Sequence, residues 1–256
     1  MLKVVNTENL TGITISGDLY DFQNLVDAFY AVTISEDDEK YSRYFDRSTR
    51  VLGLCYDIRH ALMGDRDIIL VDNGIEEVIE ASTVHITPKR NVYYQCNYLY
   101  PEMFFVTLAI NELLEIYIRK NKKPKNDYNE ALNKAVIWDQ NIAVLRSFQA
   151  AFSECVKGTL SEASYTRWLN FMNGTYINIL EISSHFMDHH NIKYLDMNKK
   201  QRQQKLSSIA KKIVEYWNDP LHKEFKITAE EVAAKYKCSP SDLKIAGLDY
   251  PEEITW

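Results

Sequence analysis

Apolar residues recur at Val51, Leu54, Cys55, Ile58, Ala61 and Leu62, three and four positions apart, which predicts a helix with one buried face. Gly64 stands just past that stripe, where glycine adopts without strain the left-handed geometry that ends a helix. Ile68 to Val71 then reads as a short buried strand, and Asp72-Asn73-Gly74 as a turn. On the far side of the helix Gly53, Tyr56, His60 and Gly64 align. Two glycines beside an aromatic and an imidazole imply that something approaches this face closely, whether a helix, a second subunit or a ligand.

Before this unit, Leu2–Val5 and Gly12–Ser16 read as strands about a turn at Asn6–Asn9. Asp18 is placed to cap a helix carrying Phe22, Leu25, Val26 and Phe29. After it, Val78–Ile86 and Asn91–Asn97 read as a hairpin closed at residues 87–90. Pro101 and Glu102 open a largely buried helix that includes Phe104, Phe105, Leu108, Leu113, Ile116 and Tyr117. Three further helical stripes follow. The first runs from Leu132 to Phe152, the second joins Trp168, Met172, Tyr176, Ile179 and Phe186, and the third runs from Leu206 to Trp217 and stops at Asn218-Asp219-Pro220. Two small helices are expected last, one opened by a Thr228/Glu231 capping box and one by Ser239-Pro240, with Trp256 docking the C-terminal residues onto the body.

The fold class is therefore α+β, with a small mixed or antiparallel sheet and helices in the N-terminal half and a mostly helical C-terminal half. The run RKNKKPKND, Arg119–Asp127, holds no hydrophobic residue and marks the boundary. It divides an α+β region (1–119) from a basic linker or loop (120–127) and a helical region (128–256).

Charge sharpens this division. Residues 1–118 carry 9 Lys+Arg against 19 Asp+Glu, and residues 119–256 carry 21 against 17. An acidic half joined to a mildly basic one suits self-association, and the total of −6 disfavours non-specific binding to nucleic acid. The four cysteines are far apart with no C-x-x-C, the start lacks a signal-peptide core, and no apolar run is long enough to span a bilayer. A cytoplasmic protein without a membrane segment is the expectation. Seventeen tyrosines and four tryptophans provide amphipathic contact surface for partners.

Candidate chemistry gathers at the helix exit, where Arg59, His60, Asp65, Arg66 and Asp67 crowd together. One reading makes the two arginines an anion clamp with His60 as acid or base, and Glu102 a further carboxylate of the same site. The other pairs the arginines with carboxylates to fix the helix end, where cations are favoured by the helix dipole. The second is preferred, because no helix N-terminus or glycine loop is aimed at an anion. GITISGD fits no phosphate loop, and SEDDEK lacks the spacing of a calcium loop. His185 and His189, one turn apart, are the candidate metal ligands, but the glutamate of H-E-x-x-H and a third ligand are missing. No cofactor is expected. ITAEEVAAKYKCSPSDLK has the outline of a helix-turn-helix whose second helix is too short to read a groove, so nucleic acid is not the expected partner.

GLCYDIRHALMGDR, YYQCNYLYPE and DYPEEITW together resemble a bacterial family known only as a domain of unknown function. The resemblance runs the length of the chain and implies one natural unit from a bacterium or phage; it brings no activity. The leading expectation is a non-catalytic interaction or regulatory protein that binds a protein partner or forms a homo-oligomer. The alternatives are an enzyme acting on a phosphorylated small molecule or nucleic acid through the 59–66 corner, and a nucleic-acid-binding protein.

Overall fold

The computed structural model describes residues 1–75, 88–121, 136, 138–172 and 178–256. Four strands, β1 (Lys3–Asn6), β2 (Gly12–Gly17), β3 (Ile68–Asp72) and β4 (Arg90–Leu99), form one antiparallel sheet in the order β1-β2-β4-β3. Around it lie α1 (Leu19–Val32), α2 (Phe45–Leu62), α3 (Tyr100–Asn121), α4 (Gln140–Thr159), α5 (Glu162–Met172), α6 (Ser184–Leu195), α7 (Lys199–Val214) and α8 (Pro220–Tyr236). The fold is α+β, with the strands in the N-terminal half and a mostly helical C-terminal half. No described helix is long and apolar enough to cross a membrane.

Local chemistry sets the N-terminal elements. Asp18 accepts from the Asp21 amide while Asp21 accepts from that of Asp18, a reciprocal cap that starts α1. In α2, Val51, Leu54, Cys55, Ile58 and Ala61 are buried, as their spacing predicts. Gly64 ends the helix at φ 86°, a left-handed value that a side chain would strain. At Gly12 the reason for glycine is space, because a Cβ there would lie 1.9 Å from the Tyr98 carbonyl oxygen across the β2–β4 pairing.

The buried helix α3 is the axis of the molecule. It packs against α1, α2, α4, α6 and α7, and residues from Val4 to Tyr216 share one continuous core. α1 of the first half lies along α4 of the second. Phe29 and Phe148 meet edge-to-face there with ring centres 6.0 Å apart.

Several boundaries differ from the sequence reading. β3 is an exposed edge strand, although four consecutive aliphatics suggested a buried one. The expected first hairpin arm, Val78–Ile86, lies outside the described residues; among the described strands β4 pairs with β3 and β2. α4 starts at the cap Asp139, whose carboxylate accepts from the Ile142 amide, and Leu132 lies outside the described residues. The stripe from Trp168 to Phe186 is no single helix. α5 ends at Met172, a single turn at Ile179–Glu181 follows a cap by Asn178, and α6 begins at Ser184; Tyr176 is not among the described residues.

Asn218-Asp219-Pro220 proves to be a start as well as a stop. Asp219 caps α8, and Pro220 occupies its first position, where the missing N–H costs nothing. Thr228 and Glu231 therefore lie inside α8, and Ser239-Pro240 leads into one helical turn, Pro240–Asp242. Where a helix-turn-helix needs a recognition helix, only that turn is present. Of the basic run, Arg119–Asn121 belong to α3, and residues 122–127 are not described.

Candidate functional site

An open cleft of about 720 Å³ lies where α2, β4, the start of α3, α6 and the C-terminal residues converge. Arg50 borders the buried stripe of α2, which holds its side chain low against α3. Its Nε donates to Glu102 Oε2 at 3.1 Å, and Nη2 donates to Glu102 Oε1 and, at 3.0 Å, to Asp188 Oδ1. Asn191, one turn after Asp188 on α6, donates to Glu102 and, at 2.8 Å, to the Tyr250 hydroxyl. That hydroxyl in turn donates to Asp188 Oδ1 at 3.1 Å. Five side chains from α2, α3, α6 and the C-terminal segment thus form one closed network.

Electrostatics follow from this packing. Burial works against the guanidinium charge of Arg50, and the Glu102 and Asp188 carboxylates more than reverse it, leaving Arg50 above the ordinary arginine range. Burial, then the same two carboxylates, push the Tyr250 phenol up. Burial likewise raises Tyr98 and Cys96, which also line the cleft. None of these groups is set to exchange a proton near neutral pH.

At the other end, Arg66 donates through Nη2 to Asp57 Oδ1 at 2.9 Å and through Nη1 to the Asp65 carbonyl at 3.0 Å. The hydrogen bond that Arg66 donates to Asp57 raises the Arg66 pKa. A Cβ on Gly53 would stand 3.4 Å from the Tyr98 hydroxyl, so the close approach expected on that side of α2 is made by β4. Gly64 serves conformation alone, since nothing lies within 4 Å of its would-be Cβ. The C-terminal segment is held where Thr11 Oγ1 donates to the Thr255 carbonyl at 2.6 Å and Asn9 Nδ2 to that of Trp256 at 2.7 Å. Trp256 does dock onto the body.

Of the residues singled out in the sequence, Asp65, Arg66, Asp67 and Glu102 line the cleft. Arg59 does not; it is exposed and donates to the Tyr30 hydroxyl at 2.9 Å. His60 stays with Asp65, Nδ1 to Oδ2 at 2.8 Å, its ring against Tyr56. Arg59, His60 and Arg66 are thus not gathered into one concave site, and Glu102 meets Arg50 rather than either arginine of the corner.

His185 spends Nε2 on the Leu243 carbonyl at 2.7 Å, and His189 packs against Phe225 and His190. Among the described residues no group of three or more His, Cys, Asp or Glu is placed to hold a metal ion. Arg50, Asp188, Asn191 and Tyr250 escaped the sequence reading. The available signal lay in the three quoted segments, since each of them lines this cleft: Gly53, Asp57, Asp65 and Arg66 from the first, Gln95 to Leu99 and Glu102 from the second, and Tyr250, Ile254 and Trp256 from the third.

Fold and site together define an α+β protein in which a four-stranded antiparallel sheet and its helices border an open cleft built on an arginine–dicarboxylate network. The chain belongs to the family described as a domain of unknown function (DUF6904), which matches residues 2–256. Neither the curated proteins nor the solved structures include a match to it.

Proposed function

We propose that this chain is a non-catalytic interaction or regulatory protein of a bacterial or phage cytoplasm, that it self-associates, and that its cleft receives a protein partner. The observation that carries this is how the charges are spent. Arg50 is bound by Glu102 and Asp188, Arg66 by Asp57, and His60 by Asp65. Guanidiniums committed to carboxylates in this way present fixed polarity for recognition.

The sign of the cleft favours the same reading. Five carboxylates (Asp57, Asp65, Asp67, Glu102, Asp188) and two guanidiniums (Arg50, Arg66) line it. An excess of negative charge attracts lysine or arginine side chains of a partner and repels phosphate. This weighs against an enzyme acting on a phosphorylated molecule or nucleic acid.

The test is capture from native lysate by the wild-type chain and by Thr49→Trp, which fills the cleft from the exposed flank of α2. A partner held in stoichiometric amount, released by salt and lost in Thr49→Trp at unchanged Tm, supports the reading. Turnover of a phosphorylated metabolite that disappears in Arg66→Ala sinks it.

A further inference from the structure

Among the described residues β1 and β3 are the edges of the sheet; β1 lies against α4, and β3 is aliphatic. Ile68 and Leu70 are 51% and 59% exposed, and Val92, opposite Leu70 on β4, is 46% exposed. Alternation puts these three on the same face as Tyr94 and Cys96. Cys96 on that face is buried in the core, so the apolar stripe is the core face continuing beyond its cover. Edges are normally blunted by charge, proline or a bulge, and Ile68–Val71 has none of these.

The hydrogen bonding of β3 fixes which groups are on offer. The Gln95 amide donates to the Asp67 carbonyl at 2.8 Å, and the Asn73 amide to that of Lys89 at 3.0 Å. Residues 67, 69, 71 and 73 therefore turn their backbone groups to β4, and Ile68, Leu70 and Asp72 turn theirs outward.

We propose that this edge docks a second copy of the chain, β3 antiparallel to β3, about a two-fold axis through Ile69. Outward groups meet outward groups only when the axis passes through a residue. With the axis at Ile69, Ile68 lies opposite the second copy's Leu70, and the exposed Arg66 lies opposite the second copy's Asp72, twice over by symmetry. With the axis at Leu70, Ile68 would face a carboxylate and Arg66 a glycine. Charge complementarity thus selects the first register. The product is one continuous eight-stranded sheet in which the two aliphatic stripes pack side by side on one face. The proposal rests on the self-association part of the reading above; it shares with the cleft only Arg66, whose guanidinium also holds Asp57.

Sedimentation of the full chain at micromolar concentration tests it, with circular dichroism to confirm folding of each variant. The wild type should be a dimer. Asp72→Arg, which sets two arginines against each other, should weaken dimerisation about tenfold or more. Arg66→Asp/Asp72→Arg should restore it, and Leu70→Asp should abolish it. A dimer unmoved by Asp72→Arg and Leu70→Asp would overturn this surface while leaving self-association in place. A monomeric wild type would overturn both.

Discussion

Replacing Arg50 by methionine keeps an unbranched apolar stem and removes the charged guanidinium. The Arg50 and Glu102 side chains are 15% and 11% exposed, so this pair is desolvated, unlike the exposed ion pairs elsewhere in the chain. Exposed pairs contribute about 0–1 kcal/mol, whereas stripping one partner from a buried pair costs about 3–5 kcal/mol because the other charge is stranded. Glu102 would lose both guanidinium bonds and keep only the Asn191 amide, while the half-exposed Asp188 can recover water. The expected loss is therefore about 3–5 kcal/mol, or on the order of 6–20 °C in Tm for a chain of this size. Urea unfolding followed by circular dichroism should show a lower midpoint with an unchanged slope. Arg50→Met/Glu102→Met, which buries no lone charge, should be more stable than Arg50→Met alone, with a coupling of about 2 kcal/mol or more. A loss below about 1 kcal/mol, or two single effects that simply add, would show that the network is a surface pairing and that the cleft lacks a rigid floor.

Other outcomes follow from the same geometry. Burial holds His190 down to about 4 from an ordinary 6.5 and lowers His189 and His222 in the same direction. Neutral histidine therefore stabilises the fold fully above pH 6.5, and that contribution is lost as pH falls through 4, about 3 kcal/mol for His190 alone. His190→Leu should flatten the acid limb of a stability–pH curve. Burial raises Cys55 to about 12 and lifts Cys96 and Cys155 as well, so iodoacetamide should label the half-buried Cys238 in the native protein and the other three only after unfolding, as read by mass spectrometry. Gly12→Ala must force β2 from β4 and should cost more than about 3 kcal/mol or prevent folding. Gly53→Ala, whose methyl only touches the Tyr98 hydroxyl, should gain up to about 1 kcal/mol of helix stability, and chemical denaturation of both variants shows the opposite signs.

Period and punctuation were legible in the sequence wherever they act locally. The stripe of α2, the stop at Gly64 and the cap at Asp18 depend on residues three or four apart, and each stands where the letters place it. β3 was misread because a run of aliphatics looks alike in a buried strand and in an edge that awaits cover. Asp219-Pro220 was ambiguous for a similar reason, since proline both ends one helix and opens the next. The site was only half legible. Asp65, Arg66 and Glu102 could be picked out as charges in suggestive surroundings, but Arg50 and Asp188 are 138 residues apart and acquire meaning only through the packing of α2 and α6 on α3. Arg59 and His60 lie one position apart on α2 yet follow neighbours on other faces of the helix, Tyr30 and Asp65.

The long sequence separations within the Arg50 network also govern when the cleft comes into being. Its members must wait for Tyr250, 62 positions beyond Asp188, while the hairpin of β1 and β2 can zip from its own turn. During synthesis the N-terminal sheet has its partners early, and the cleft is completed only once Tyr250 has been added. Occupancy of the cleft would then report that α2, α3, α6 and the segment around Tyr250 have reached their native arrangement, a quality check inherent in the order of the residues.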